Sequence, residues 1–275
     1  MFTTKKIFAA SVVISLLAMG GLVFAKPDFA SVQLSTPGTS RSLVLPTPAD
    51  NSPVIALGSA LDPGTGKVVE GYAIIHYRSA NAKPSQKGRG VSACYTFLAS
   101  NAKWKTLEPW MVNPANSRGL VADFVLNNLA GDIGKWEDAA LANILGDGSS
   151  TTNPLVADTT APDNQNEVYF ANVSTQGAIA VTIVWGIFGG PPFGRELVEW
   201  DQIYDDIDYD WSSSGESTKM DFENIATHEL GHSVGLGDLY TSSCSEETMY
   251  GYAGFGETKK RDLNAGDIAG VNKLY

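Results

Sequence analysis
The chain has 275 residues, enough for one or two domains with a real hydrophobic core. Its formal net charge is −11 and its pI about 4.7. That balance argues against nucleic acid or an anionic membrane surface as partner, since both select basic faces, and it suits a soluble exported protein with room for calcium.

Residues 1–25 carry Lys5 and Lys6, an apolar run from Ile7 to Met19, then Gly20, Gly21 and the exit Val23-Phe24-Ala25. This is the layout of a secretory signal peptide cleaved after Ala25; the competing reading, a retained membrane anchor, needs a longer run. The expected location is secreted and extracellular, or else periplasmic or in the cell envelope, without stable membrane insertion after cleavage. Residues 26–90 turn to Pro, Ser, Thr and Gly, the composition of a linker or pro-segment. Inside them residues 67–78, K-V-V-E-G-Y-A-I-I-H-Y-R, are β-prone enough for a strand. His76 reads as an ordinary strand histidine, the alternative being a cap on a metal in a latent form. Lys83, Lys87 and Arg89 lie among Pro84, Gly88 and Gly90, a basic loop of the kind proteases nick, and the segment is expected to be removed there.

Residues 104–113 read as a first strand, after which Asn116 or Ser117 caps a helix over 119–144. Val121, Val125, Leu129, Ile133, Trp136 and Ala140 recur along it at helical spacing. Strands follow at 167–172 and 177–185. The second of these, G-A-I-A-V-T-I-V-W, fits a buried central strand as well as an edge. In residues 197–211, Asp206, Asp208 and Asp210 alternate with Ile207, Tyr209 and Trp211, so that one face of a strand would be acidic. Solvent explains such a face, and so would calcium, although the spacing is not that of an EF-hand.

Residues 227–238 read T-H-E-L-G-H-S-V-G-L-G-D. On a helix His228 and His232 leave the same face one turn apart and can hold one metal ion, while Glu229 beside them is placed to take a proton as general base. Gly235 allows the helix to stop and the chain to reverse, which returns Asp238 as a third ligand and leaves a fourth position open. Two surface histidines on a helix would be the unremarkable explanation, but the chain has three histidines and two are here. Cys94 and Cys244 fit one disulfide in an exported chain, or a cysteine switch with a thiolate on the metal; the disulfide is favoured.

H-E-x-x-H-x-x-G-x-x-D followed by a methionine resembles the metzincin clan of zinc endopeptidases, where the last position is usually histidine and here is Asp238. Within the clan the likeness is to the matrixins. Thr248-Met249-Tyr250-Gly251-Tyr252 is similar to their Met-turn without its usual proline, which implies Met249 as an apolar floor under the metal and Tyr250 and Tyr252 as lining of the specificity pocket. Trp136-Glu137-Asp138-Ala139-Ala140 resembles the end of their first helix, and residues 177–185 the edge strand that pairs with substrate. Residues 197–211 resemble the strand and loop before the active-site helix. Residues 261–275 resemble the closing helix, with no haemopexin-like module expected beyond.

The resemblance implies an α+β fold of the metzincin kind. A twisted, mostly parallel five-stranded sheet would pack on long helices, and a small C-terminal lobe would carry the Met-turn. The expected organisation is a signal peptide at 1–25, a pro-segment or linker at 26–90 and a matrixin-like catalytic domain at 91–275. It further implies a monomeric zinc endopeptidase acting on protein or peptide substrates, with Glu229 as base. The expected targets are an extracellular matrix, a foreign protein or the cell's own envelope. The rival readings are a non-haem iron enzyme built on two histidines and a carboxylate, a silent envelope or adhesion protein of the same fold, and a gluzincin using Glu257 as ligand.

Overall fold
A computed structural model describes residues 41–47, 52–78 and 93–275. The expected signal peptide and the basic run Lys83, Lys87, Arg89 lie outside them. The described residues all belong to one compact unit. Its centre is an eight-stranded sheet made of β1 (Ser42–Leu43), β2 (Val54–Leu61), β3 (Val68–Tyr77), β4 (Trp110–Asn113), β5 (Gly148–Ser150), β6 (Asn166–Val173), β7 (Ala178–Ile187) and β8 (Glu196–Asp205). The strand order is β2-β3-β7-β8-β6-β4-β5, with β1 beside β6.

The expected five strands are β4 to β8, and within them every pairing except β7 with β8 is parallel. Two corrections follow from the rest. The sheet is larger, because the Pro-rich segment supplies the hairpin β2–β3. And β7 is not an edge: β3 runs antiparallel along it from Glu70 opposite Gly186 to Tyr77 opposite Ala178. The exposed edge on this side is β2, whose residues alternate poorly between buried and exposed.

Side-chain alternation divides two cores across the sheet. Val168 and Phe170 of β6, with Trp200 and Tyr204 of β8, join the helix-side core; Tyr169, Ala171, Val173 and Ile203 join the other. The helix side holds α1 (Ala122–Ala140) and α2 (Phe222–Ser233), and α1 turns Val125, Leu129, Ile133 and Trp136 inward. This helix is shorter than the spacing predicts. Gly119 at φ +85 keeps the chain out of helical geometry before it, and Leu141 at φ 52 ends it in the left-handed region. Asn116 does not cap it; its side-chain oxygen accepts the Arg118 and Leu120 amides in the preceding turn. The first strand is also shorter than 104–113, beginning after Pro109, which has no amide to give a ladder.

Asp206, Asp208 and Asp210 do not form one acidic face. The strand ends at Asp205, whose carboxylate takes the Ile207 and Asp208 amides and turns the chain. Asp206 accepts from the Ser117 amide and Asp210 pairs with Arg118 at 3.1 Å, so this charge is met by protein groups.

Short strands β9 (Trp211–Ser212) and β10 (Met220–Asp221) lead into α2. Asp221 caps that helix through the Asn224 amide at 3.0 Å and is itself held by Arg261. After α2 comes an irregular lobe that closes with α3 (Ala265–Leu274). Cys94 and Cys244 form a disulfide that ties the start of this domain to that lobe. No helix among the described residues is long and apolar enough to cross a membrane.

Candidate metal centre
His228, Glu229 and His232 sit on α2 and are fully buried. The helix stops at Ser233, and Gly235 at φ +107 reverses the chain where a Cβ would lie 2.9 Å from the Ala102 carbonyl. The returning segment carries Asp238, and its neighbour Leu239 forms an isolated parallel bridge with Tyr250. Asp238 Oδ1 thereby comes to 3.2 Å from His228 Nε2 and 3.4 Å from His232 Nε2.

The three converging atoms are buried and none has a hydrogen-bond partner. Their outer atoms are all engaged: His228 Nδ1 donates to the Thr248 carbonyl at 2.7 Å, His232 Nδ1 to the Leu236 carbonyl at 2.9 Å, and Tyr240 Oη to Asp238 Oδ2 at 2.7 Å. Both imidazoles thus turn a lone pair inward with a carboxylate oxygen beside it, which is the donor set a divalent cation such as zinc takes. Electrostatics agree. Burial, then the nearby Lys260 charge, pushes His228 down to about 4, so it is neutral and able to ligate. His232 resists burial and is held up by the Asp238 carboxylate, which favours a positive charge at this place, whether proton or metal. Among the described residues Glu257 joins no such cluster.

Glu229 faces β7 and β3 from α2. Its Oε2 accepts from the Thr182 hydroxyl of β7 at 2.6 Å, and burial pushes its carboxyl up to about 7, a value suited to a group that takes and returns a proton. Met249 is buried beneath α2: a Cβ on Gly231 would meet its sulfur at 2.1 Å. The Met249 and Thr248 amides are held by Asp267 of α3 at 3.1 and 2.7 Å. Tyr250 and Tyr252 follow, their rings 5.8 Å apart, with Tyr252 also against Tyr240 at 5.3 Å.

Two groups join this site that spacing does not point to. His76 of β3 is not an ordinary strand histidine. Its Nδ1 lies 3.0 Å from Glu229 Oε1 and its ring packs on that of His228 with centroids 3.9 Å apart. Lys260, fully buried, donates to the Tyr250 carbonyl and approaches His76 Nε2 at 3.3 Å. Together they form a line in which Lys260 donates to His76 and His76 donates to Glu229. The available signals were small: a lone histidine in an apolar strand, and a lysine in the run Lys259-Lys260-Arg261 that resembles solvated surface. Thr182, a single hydroxyl in the run A-I-A-V-T-I-V-W, is a comparable case.

A second carboxylate group, Asp158, Asp163 and Glu199, lies on the other side of the sheet from α2. It is distinct from the aspartates singled out by alternation.

A sequence model of the matrixin family matches residues 193–275. Metalloendoproteinase 2-MMP of Arabidopsis thaliana is 24% identical over 188 residues, covering 66% of this chain and 45% of that protein. Human matrilysin is 41% identical over 70 residues, 26% of this chain and 25% of its own length. Metalloendoproteinase 1 of Glycine max is 26% identical over 196 residues, 68% of this chain and 57% of that protein. The chain therefore spans less than two thirds of the length of each of these relatives.

Proposed function
We propose that this chain, α+β in architecture and matching the matrixin family over residues 193–275, is a zinc-dependent endopeptidase. The observation that carries this reading is the set of three buried, unpartnered atoms, His228 Nε2, His232 Nε2 and Asp238 Oδ1, turned toward one point beside Glu229.

Zinc held by those residues would supply Lewis acidity at the scissile carbonyl and lower the pKa of water. The chain's own groups do the rest. Glu229 takes the proton of the attacking water on its carboxylate and returns it to the leaving amine, with the Thr182 hydroxyl fixing the other carboxylate oxygen. With β3 displaced, β7 would offer its backbone to an extended peptide, and the segment from Met249 to Tyr252 would form the opposite wall. The Cys94–Cys244 disulfide supports an oxidising location outside the cytosol, and with it a signal peptide ahead of the folded unit.

The test is casein cleavage by the native chain and by Gly71→Val, in which a Cβ only 2.6 Å from the Trp185 ring forces β3 away from β7. Cleavage by at least one of them should vanish with a chelator, return with zinc and be absent in its Glu229→Gln form. Chelator-resistant cleavage, full activity after Glu229→Gln, or no cleavage by either chain with zinc bound would contradict the reading. Iron in place of zinc would favour the non-haem alternative.

A further inference from the structure
In a cleft built to hold an extended peptide, the place of that peptide is already filled. β3 lies between β7, with which it pairs antiparallel over residues 70–77, and the wall segment, where Tyr77 pairs in parallel with Tyr252 and its carbonyl accepts the Ala253 amide at 3.3 Å. Both backbone partners a bound peptide would use are therefore taken. The β3–β7 ladder slips between His76 and Tyr77, beside the metal ligands, and His76 there occupies the recess against His228, Glu229 and Lys260. On the approach side, Tyr72 and Ile74 of β3 line a cavity of about 300 Å³ together with Phe97, Phe188, Asp238 and Tyr240.

We propose that β3 is an intramolecular occupant of the substrate cleft, with His76 as its plug against Glu229, and that the β2–β3 hairpin must leave β7 before a peptide can enter. This rests on the endopeptidase reading for the identity of the cleft, while the occupancy itself is a matter of strand exchange. The hairpin is suited to leave. Its outer strand β2 is mostly exposed and interrupted by a bulge at Gly58, with φ +103, and the hairpin's one strand pairing to the rest of the sheet is β3 with β7, assisted by Lys67 on Glu196 and Asp62 on Asn164. β3 itself is buried from Ala73 to Tyr77, so opening would begin at the exposed, irregular strand β2 and carry β3 with it. The chemistry of the displacing ligand follows from the occupant: an extended segment that donates and accepts along β7 and sets an apolar residue and a planar, hydrogen-bonding one at the positions of Ile74 and His76.

Two measurements decide this, both on metal-free protein, so that neither needs turnover. In hydrogen exchange on the native chain, the amides joining β3 to β2 and β7 should open as one unit, at least tenfold faster than those joining β6 to β8. Equal protection across all of these strands would make the hairpin a permanent part of the core and overturn the proposal. In fluorescence anisotropy, a labelled peptide with the sequence of residues 68–78 should bind Gly71→Val at least tenfold more tightly than the native chain. Trp185 is anchored by its indole bond to the Asp158 carbonyl at 2.8 Å, so β3 rather than the ring has to move. Equal binding by both chains, or none by a Gly71→Val chain that keeps its circular dichroism and zinc stoichiometry, would also overturn it. If that variant does not fold, exchange on the native chain decides alone. Peptide binding and exchange as expected, with no cleavage by any variant, would uphold the occupant and defeat the endopeptidase reading; prompt chelator-sensitive cleavage by the native chain with equal peptide binding would do the opposite.

Discussion
Tyr240 Oη donates a 2.7 Å hydrogen bond to Asp238 Oδ2, leaving only Oδ1 turned toward His228 and His232. The tyrosine thus aims the third ligand without joining the ligand set. Tyr240→Phe keeps the ring, which packs against Tyr252 and sits within 2.4 Å of where a Gly251 Cβ would be, and removes the hydroxyl alone. Groups in this position typically contribute 10- to 100-fold in metal affinity, so zinc binding by competition with a chromogenic chelator should weaken by about that factor. An unchanged affinity would mean that Asp238 is held by its backbone alone.

Gly231 marks where α2 rests on Met249 and Trp136. A Cβ there would lie 2.1 Å from the methionine sulfur and 2.9 Å from the indole ring. Gly231→Ala should therefore lower stability in urea unfolding by about 1–3 kcal/mol through overpacking. The reverse, a gain from better helix propensity, would show that Met249 moves freely and is no fixed floor.

Glu199 gives a pH prediction. Burial, then the charges of Asp201 and Asp158, raises its carboxyl to about 10 against a usual 4.5. The folded chain keeps this proton while the unfolded chain loses it, so above pH 4.5 the unfolded state gains and stability falls with rising pH until about 10. Glu199→Gln removes the titration. Its unfolding free energy should decline less steeply across that window than the native chain's; parallel curves would show that Glu199 does not carry the dependence.

The Cys94–Cys244 disulfide closes a loop across 150 residues of sequence. Replacing both cysteines with serine should cost about 2–5 kcal/mol of stability in denaturant unfolding, through the freedom returned to the unfolded chain. A loss below about 0.5 kcal/mol would mean that the unfolded chain stays compact without it.

What could be read from the sequence at this site is what local geometry determines. His228 and His232 share a helix face by their spacing, and Gly235 announces the reversal that brings Asp238 back. His76 and Lys260 arrive from elements distant in sequence, through the pairing of β3 with β7 and the turn after Met249, and neither has a local pattern to betray it. β7 was ambiguous for a related reason: with nearly every residue apolar on both faces, alternation cannot say whether a neighbour strand is present. The hairpin was obscured by the prolines around it, which break strands only where their missing amide is needed. The acidic alternation at 206–210 misled because Asp205 turns the chain, so residues that alternate in sequence do not alternate on a strand.

The most direct measurement is titration of zinc into the metal-free chain, with His228→Ala, His232→Ala and Asp238→Ala beside it. One zinc per native chain is expected, with binding lost or weakened at least a hundredfold in each variant. Stoichiometric zinc at unchanged affinity in any two of these variants, or none in the folded native chain, would place the metal elsewhere and contradict the account.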